Sequence, residues 1–291
     1  MQLLIQPRDG ASPLIAAIAT ARKSLEIVIF RLNRDDIERA LRAAAKRGVR
    51  VHALIAQPNR EGAGRLRKLE QRLLGDGVKV DRTGNDFIRY HGKFMIVDRT
   101  TLWVLGFNYT VVDIVRSRSF GIVTKDRDTV LEAIKLFKAD CARRPFVAAR
   151  ALLVSPANAR AKLTAFLGDA KSQLLIYDPK VSDTRIIKVL KGRVGAGVDV
   201  RILGNVSERG AGLVHRKDFG YRLHVRAIVR DGREAFIGSQ SLRRLELDKR
   251  REVGLFVTGA PLVKELAATF ESDWARTGPG KERAPYATHD H

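Results

Sequence analysis

The chain has 291 residues, of which 45% are hydrophobic, so it can bury a sizeable core as one large domain or two fused lobes. Lysine and arginine outnumber aspartate and glutamate by 54 to 32, a formal net charge of +22, which calls for an anionic partner, either nucleic acid or an anionic membrane surface. A single cysteine, Cys141, excludes an intramolecular disulfide, and there is neither a basic-then-apolar leader nor an uninterrupted apolar run of about 18 residues, so the expectation is a soluble, cytoplasmic protein without a transmembrane segment.

In chain order, Leu3 to Ile5 reads as a short strand, 11–22 as an Ala- and Ile-rich helix, and Ser24 to Phe30 as a buried strand. Asp35 to Arg47 carries Ile37, Leu41 and Ala44 at helical spacing and stops at Gly48; Val49 to Ile55 is the next strand, and its His52 reads as a packed or surface residue. A basic amphipathic helix over 61–74 follows, either a solvated face or a lip that grips phosphates. His91 and Lys93 then stand two residues apart, so on an extended strand both leave the same face, ahead of the apolar run Phe94 to Val97. Asp98 falls on the other parity at a turn and reads as a capping carboxylate. Leu102 to Leu105 returns as a hairpin partner, ending at Gly106, and Asn108 can come back beside His91 and Lys93. Phe120 to Thr124 reads as a strand and 127–142 as a helix, broken by Arg143-Arg144-Pro145.

The order then repeats. Ala151 to Val154 is a strand, 158–170 a helix, Ser172 to Tyr177 echoes Ser24 to Ile29, and Thr184 to Arg193 is the next helix. Gly197-Val198-Asp199-Val200 echoes Gly48-Val49-Arg50-Val51, and Gly210 to Lys217 reads as a basic loop at the mouth of a site. His224, Arg226 and Asp231 repeat the spacing of His91, Lys93 and Asp98, with an Asp231-Gly232 hairpin turn and then Gly238 and Gln240. The two copies stand at almost the same offset for histidines and glycines, which makes a duplication a far stronger reading than chance. Arg251-Glu252-Val253-Gly254 matches Arg118-Ser119-Phe120-Gly121, and Phe270 to Asp273 matches Phe137 to Asp140. The organisation expected is a first repeat over 1–146, a second over 147–276 with the crossing at Arg144 to Arg150, and a disordered Gly/Pro/charge-rich tail over 277–291. Alternating strands and helices point to an α/β fold with a largely parallel sheet in each copy and helices on both faces.

The duplicated motif resembles the hallmark of the phospholipase D superfamily, His-x-Lys-(x)4-Asp followed by Gly-x-Asn. The first copy matches in full; the second replaces the lysine by Arg226 and the asparagine by Gln240. The resemblance implies two α/β/α lobes facing each other across a pseudo-twofold axis, with both histidine motifs at the interface. It also implies a covalent phosphohistidine intermediate, with His91 as nucleophile and His224 as general acid. Such chemistry needs a neutral imidazole, a proton donor, and cations and amides on the non-bridging oxygens, a part for Lys93, Arg226, Asn108 and Gln240. If the acid of one copy supports the histidine of the other, Glu252 serves His91; its counterpart in the first copy is Ser119, so His224 is expected to lack an acidic partner. Asp98 and Asp231 are structural.

No carboxylate cluster or Cys/His spacing calls for a metal, no cofactor loop is present, and Cys141 reads as packing. Three functions remain open: a metal-independent phosphodiesterase or phosphatidyltransferase acting on phospholipid head groups, with peripheral contact to an anionic membrane; a nuclease of the same superfamily; and a degenerate, non-catalytic binder of nucleic acid or anionic membrane. The family habit that duplicated chains are commonly lipid enzymes favours the first.

Overall fold

The computed structural model describes residues 1–57, 63–147, 150–217 and 219–277. Its first half runs β1 (Gln2–Gln6), α1 (Ser12–Thr20), β2 (Ser24–Ile29), α2 (Asp35–Lys46), β3 (Arg50–Ile55), α3 (Ala63–Gly75), β4 (Lys79–Arg82), β5 (Arg89–Tyr90), β6 (Phe94–Val97), β7 (Thr101–Leu105), β8 (Ser117–Thr124) and α4 (Arg127–Cys141). A π-helical turn, Val112–Arg116, precedes β8. The second half runs β9 (Leu152–Ser155), α5 (Ala159–Gly168), β10 (Gln173–Val181), α6 (Thr184–Gly195), β11 (Asp199–Val206), β12 (Val214–Arg216), β13 (Arg222–Leu223), β14 (Ala227–Arg230), β15 (Glu234–Gly238), α7 (Arg244–Asp248), β16 (Arg250–Thr258) and α8 (Ala260–Ala275).

Each half contributes a mixed sheet, in the order β1-β8-β7-β6-β2-β3-β4 for the first and β12-β11-β10-β14-β15-β16 for the second. The largely parallel sheets expected from the alternation of elements are corrected here. Within those two strand orders β2-β3-β4 and β10-β11-β12 run parallel, while β6-β7-β8 and β14-β15-β16 are antiparallel meanders. The reason is connection length: α2 and α3 are long enough for crossovers, whereas the hairpins after β6 and β14 are not. Both hairpins turn through left-handed residues, Asp98 and Arg99 at φ 51° and 57°, Asp231 and Gly232 at 53° and 63°. Asp98 accepts the backbone N–H groups of Arg22, Lys23 and Ser24, and Asp231 those of Lys171, Ser172 and Gln173. Partial burial opposes ionisation of Asp231, but these N–H donors outweigh it and hold the carboxyl at about 2. Each motif aspartate therefore ties its hairpin to the start of the neighbouring strand.

Three apolar layers form. The outer face of the first sheet packs on α1, α2 and α3 through Leu14, Ile18, Leu41, Leu69 and Leu73; the outer face of the second packs on α5 and α6 through Leu163, Phe166, Ile186 and Leu190. The central core draws on the inner faces of both sheets and on α4 and α8, with Phe94, Phe120, Phe137, Tyr177, Val253 and Phe270. α3 is held by Arg72 on Glu38 and Glu70 on Arg82, so this basic helix is pinned to its neighbours through part of its charge; its expected first residues, 61 and 62, fall outside the described residues, as do 148–149 of the crossing segment and 278–291 of the tail.

The halves exchange short strands. β5 of the first pairs with β16 of the second, and β13 of the second with β8 of the first. Two buried ion pairs repeat the exchange: Arg118 grips Asp273 at 2.7 and 2.9 Å, and Arg251 approaches Asp140 at 3.1 Å. Each acid also accepts a buried tyrosine hydroxyl, Tyr177 on Asp273 at 2.6 Å and Tyr90 on Asp140 at 2.5 Å. Between these clamps the motif glycines meet: a Cβ at Gly106 would lie 2.9 Å from the Phe120 carbonyl oxygen and 3.2 Å from that of Gly238. Only glycine lets the two motifs approach so closely.

Candidate active site

His91 lies between β5 and β6, and its backbone N–H donates to the Arg251 carbonyl at 2.8 Å, so the other half sets its position. Its ring Nδ1 is 2.8 Å from Glu252 Oε2, a contact in which an ionised Glu252 holds the proton on Nδ1 and leaves the Nε2 lone pair free. The Phe30 ring meets the imidazole edge-on at 4.7 Å. Lys93 is fully buried; its Nζ donates to the His91 carbonyl at 2.7 Å and sits 5.3 Å above the Phe30 ring.

His224 lies between β13 and β14, and its N–H reaches the Arg118 carbonyl at 3.3 Å, while Ser119 Oγ donates to the His224 carbonyl. The expectation that His224 lacks an acidic partner is corrected: Asp113, on the π-helical turn, brings Oδ2 to 3.4 Å from His224 Nδ1. The distance is long for a hydrogen bond, and the pairing is electrostatic more than directional. Asp113 also accepts from Asn108 N at 3.0 Å and Nδ2 at 2.6 Å and from Arg222 Nη1 at 2.7 Å. Support is thus crosswise on both sides, second-half Glu252 for His91 and first-half Asp113 for His224.

The two amides are placed differently from expectation. Asn108 uses its Nδ2 to hold Asp113, which leaves its Oδ1, a buried acceptor, unpartnered among the described residues. Gln240 is fully buried and donates to the Leu153 carbonyl at 2.9 Å, its Oε1 lying in the slot left by Gly238 and Gly254. The extra methylene carries this amide to β9, so Gln240 acts as a strand anchor where an oxygen-holding group was expected. Arg226 is 8% exposed, and its Nε and Nη1 donate to no acceptor among the described residues. The Gly210 to Lys217 stretch, expected as a loop, ends in edge strand β12, where His215 Nδ1 faces the Gly204 carbonyl at 3.3 Å and Arg216 stacks on Trp274 at 4.3 Å.

Burial and the neighbouring cations set the protonation states. Burial, then Lys93 and Arg226, push His91 well below the usual histidine range. Burial and Arg226 do the same to His224, against the pull of Asp113. Burial lowers Lys93 to about 7 despite Glu252. Burial raises Glu252, although Lys93 and Arg226 work the other way. Burial would raise Asp113, but His224, Asn108 and Arg222 outweigh it and lower the carboxyl. The arrangement can therefore present one neutral imidazole with an open Nε2, a second imidazole beside a carboxylate, and two buried cations.

Asp113 is the residue of this candidate site that motif reading misses. It stands five residues after Asn108 as a lone acid in Val111-Val112-Asp113-Ile114-Val115, and a carboxylate within an apolar run is the signal that could have flagged it.

This fold and paired-histidine site define a two-lobed, phospholipase D-like protein. The family model described as "Cardiolipin synthase, PLD-like domain" matches residues 14–141 and 163–274, and the chain belongs to that family, within the phospholipase D superfamily. It is 31% identical over 126 residues to mitochondrial cardiolipin hydrolase of Mus musculus and of Homo sapiens, 42% of this chain and 53% and 47% of those proteins. The chain thus spans about half the length of the curated relatives it matches. Among solved structures, polyphosphate kinase from Porphyromonas gingivalis superposes with a TM-score of 0.76 at 18% identity, over 94% of this chain and 50% of that one. Phosphatidylserine synthase from Haemophilus influenzae Rd KW20 gives 0.65 at 14% identity, over 94% and 85%. These two likenesses establish the fold.

Proposed function

We propose that this protein is a phospholipase D-type phosphodiesterase acting on phospholipid head groups through a phosphohistidine intermediate. The observation that carries the reading is the buried Arg226 guanidinium with two unpartnered donor nitrogens, set with Lys93 among two histidines. Buried cations without full partners are costly unless an anion completes them, and a phosphodiester supplies one with oxygens spaced for a planar fork.

In the proposed reaction, His91 Nε2 attacks phosphorus while Glu252 stabilises the positive charge that develops on the ring. Lys93 and Arg226 take the non-bridging oxygens as charge accumulates in the transition state. His224 protonates the leaving alkoxide; the substrate's negative charge offsets the cations that otherwise depress it, and Asp113 favours its charged form. A water or another alcohol, deprotonated by His224, then releases the phosphoryl group from His91.

Three things favour lipid over nucleic acid. The matching family is described as cardiolipin synthase-like over both halves, and the curated relatives are named cardiolipin hydrolases. The turn that carries Asp113 inward also leaves Val111, Val112 and Val115 at 44%, 41% and 50% exposure, an apolar rim suited to acyl chains beside the site. Among the described residues no helix is long and apolar enough to cross a membrane, so contact with a bilayer would be peripheral. The nuclease reading rests on the +22 charge, because a polyanion engages many cations at once.

The test is incubation of the protein, in chelator, with anionic phospholipid vesicles, single-stranded DNA and RNA in parallel. Release of a lipid head group without nucleic-acid cleavage is the expected result. Cleavage of DNA or RNA alone would replace it with the nuclease, and no product from any substrate would leave the binding role. Because nucleophile, acid and cations are all side chains, the initial rate should be unchanged by EDTA; a rate lost to chelation and restored by one divalent ion contradicts the two-histidine mechanism.

A further inference from the structure

Beyond the paired-histidine site, the inner face of the first sheet carries a second group of ligand-bearing side chains where it meets the end of α4. His52 on β3 and Asp81 on β4 point to the same face of neighbouring parallel strands, and Cys141, the last residue of α4, lies over them. His52 Nε2 is 2.7 Å from Asp81 Oδ2 and 3.8 Å from Cys141 Sγ, and one ligand atom from each residue fits within 4.8 Å of the others. The imidazole is fixed by the Phe137 ring, which meets it edge-on at 5.0 Å.

Both neighbours approach the same ring nitrogen, which separates two kinds of chemistry. A Cys-His-Asp relay needs the acid on one nitrogen and the thiol on the other, so this group cannot pass a proton along that line. A cation needs the opposite, one lone pair from each residue converging on one point. A tetrahedral zinc with bonds of about 2.0–2.3 Å separates its ligand atoms by roughly 3.2–3.8 Å. The Cys141–His52 distance already falls there, and the His52–Asp81 contact has to open by only about half an ångström.

We propose that His52, Asp81 and Cys141 form a binding site for a zinc-class divalent cation, tying the end of α4 to β3 and β4. Neutral His52 gives the Nε2 lone pair with its proton on Nδ1, Asp81 gives a carboxylate oxygen, and Cys141 loses its S–H proton to solvent as the metal–sulfur bond forms. The cluster opens on a cavity of about 410 Å³ that Glu26, Lys79, Arg99 and Lys138 also line, room for a water as fourth ligand. Glu26 sits beside His52 in strand register and is paired to Arg99 at 3.2 Å. The cations oppose a metal: Lys79 Nζ lies 3.8 Å from Asp81 Oδ2 and Arg99 pairs with Glu26, but their side chains are 67% and 50% exposed, so a metal on Asp81 displaces a long, solvent-screened contact and Lys79 can carry its charge into water. The site is separate from the proposed phosphodiesterase chemistry and shares no residue with it.

Cobalt(II) tests this directly. Cys141 is the chain's single cysteine, so a thiolate-to-cobalt charge-transfer band in the near ultraviolet reports this site and no other. The full chain, stripped with chelator and titrated with Co2+, is expected to bind one equivalent with that band and the visible bands of a four-coordinate ion, both erased by Zn2+. Cys141→Ser should abolish the band, and His52→Ala should weaken binding by at least about tenfold, while His215→Ala changes nothing. Zn2+ should raise the melting temperature without altering the initial rate on any phosphodiester. Folded wild-type protein that gives no charge-transfer band overturns the proposal, and so does a band that His52→Ala leaves at full affinity.

Discussion

The two histidines occupy matching positions in the duplicated chain, yet their surroundings differ in how firmly each ring is held. His91 has Glu252 at 2.8 Å, an aromatic edge from Phe30 and a backbone bond of 2.8 Å to Arg251. His224 has Asp113 at 3.4 Å and a backbone bond of 3.3 Å to Arg118, and its carboxylate is shared with Asn108 and Arg222. A nucleophile must be aimed and desolvated, and the shorter contacts around His91 meet that condition more closely than those around His224. On the proposed reading the asymmetry favours His91 for attack and His224 for proton transfer, the same order that the motif resemblance implies.

The strongest way to break this comparison is to remove each ring in turn. His91→Ala should reduce turnover to background. His224→Ala should lose about 10²–10⁴-fold in turnover on a natural substrate; on one with a good leaving group the first, phosphoryl-transfer step should lose little, since only protonation is lost there, while release of the adduct is slowed. Equal losses on both substrates for both variants would erase the distinction. The supporting acids come next. Glu252→Gln removes a short, charged hydrogen bond and should cost about 2–3 kcal/mol of transition-state stabilisation, roughly 30- to 150-fold in kcat/KM; Asp113→Asn, at the longer contact, should cost about tenfold or less. A larger effect at Asp113 would invert the roles. Both should be measured with the folded fraction checked by circular dichroism.

The clamps between the halves offer a comparison in stability. Arg118–Asp273 is a two-contact pair and Arg251–Asp140 a single one, so Asp273→Asn should destabilise by about 3–5 kcal/mol and Asp140→Asn by less, read from urea midpoints. A further comparison concerns pH. Lys93 titrates near 7 in the folded chain against an ordinary 10.5, so between those values the unfolded chain holds a proton that the folded chain lacks. Lys93 therefore makes stability rise with pH from about 7 to 10.5, a slope that Lys93→Met should remove. The same titration should make kcat/KM fall as pH rises through about 7, because the phosphate clamp loses its charge.

Much of this site was legible in the residues alone, because chemistry that needs His, a cation and a capping Asp at fixed spacing leaves the same imprint twice. Glu252 was visible too, since its place in the repeat could be set against Ser119. Asp113 was not, because the acid for His224 sits on a π-helical turn outside the repeat, a position with no counterpart to compare. β5 and β13 escaped for a different reason: strands of two residues carry no periodicity, although they are what seats each histidine against the other half. Gln240 was misread because a longer amide was taken to do the same task at longer reach, whereas the slot beside Gly254 gave it another partner. Sheet direction failed because alternation of elements says nothing about whether a connection is a crossover or a hairpin.

The central claim is that phosphorus is transferred to His91. It is tested most directly by mixing His224→Ala with a phosphodiester bearing a good leaving group, quenching in alkali, and locating the adduct by peptide mass spectrometry. The account predicts one acid-labile phosphoryl group, on the peptide containing His91. An adduct on another residue, or turnover of that substrate by the wild type with no adduct accumulating in His224→Ala, would contradict it.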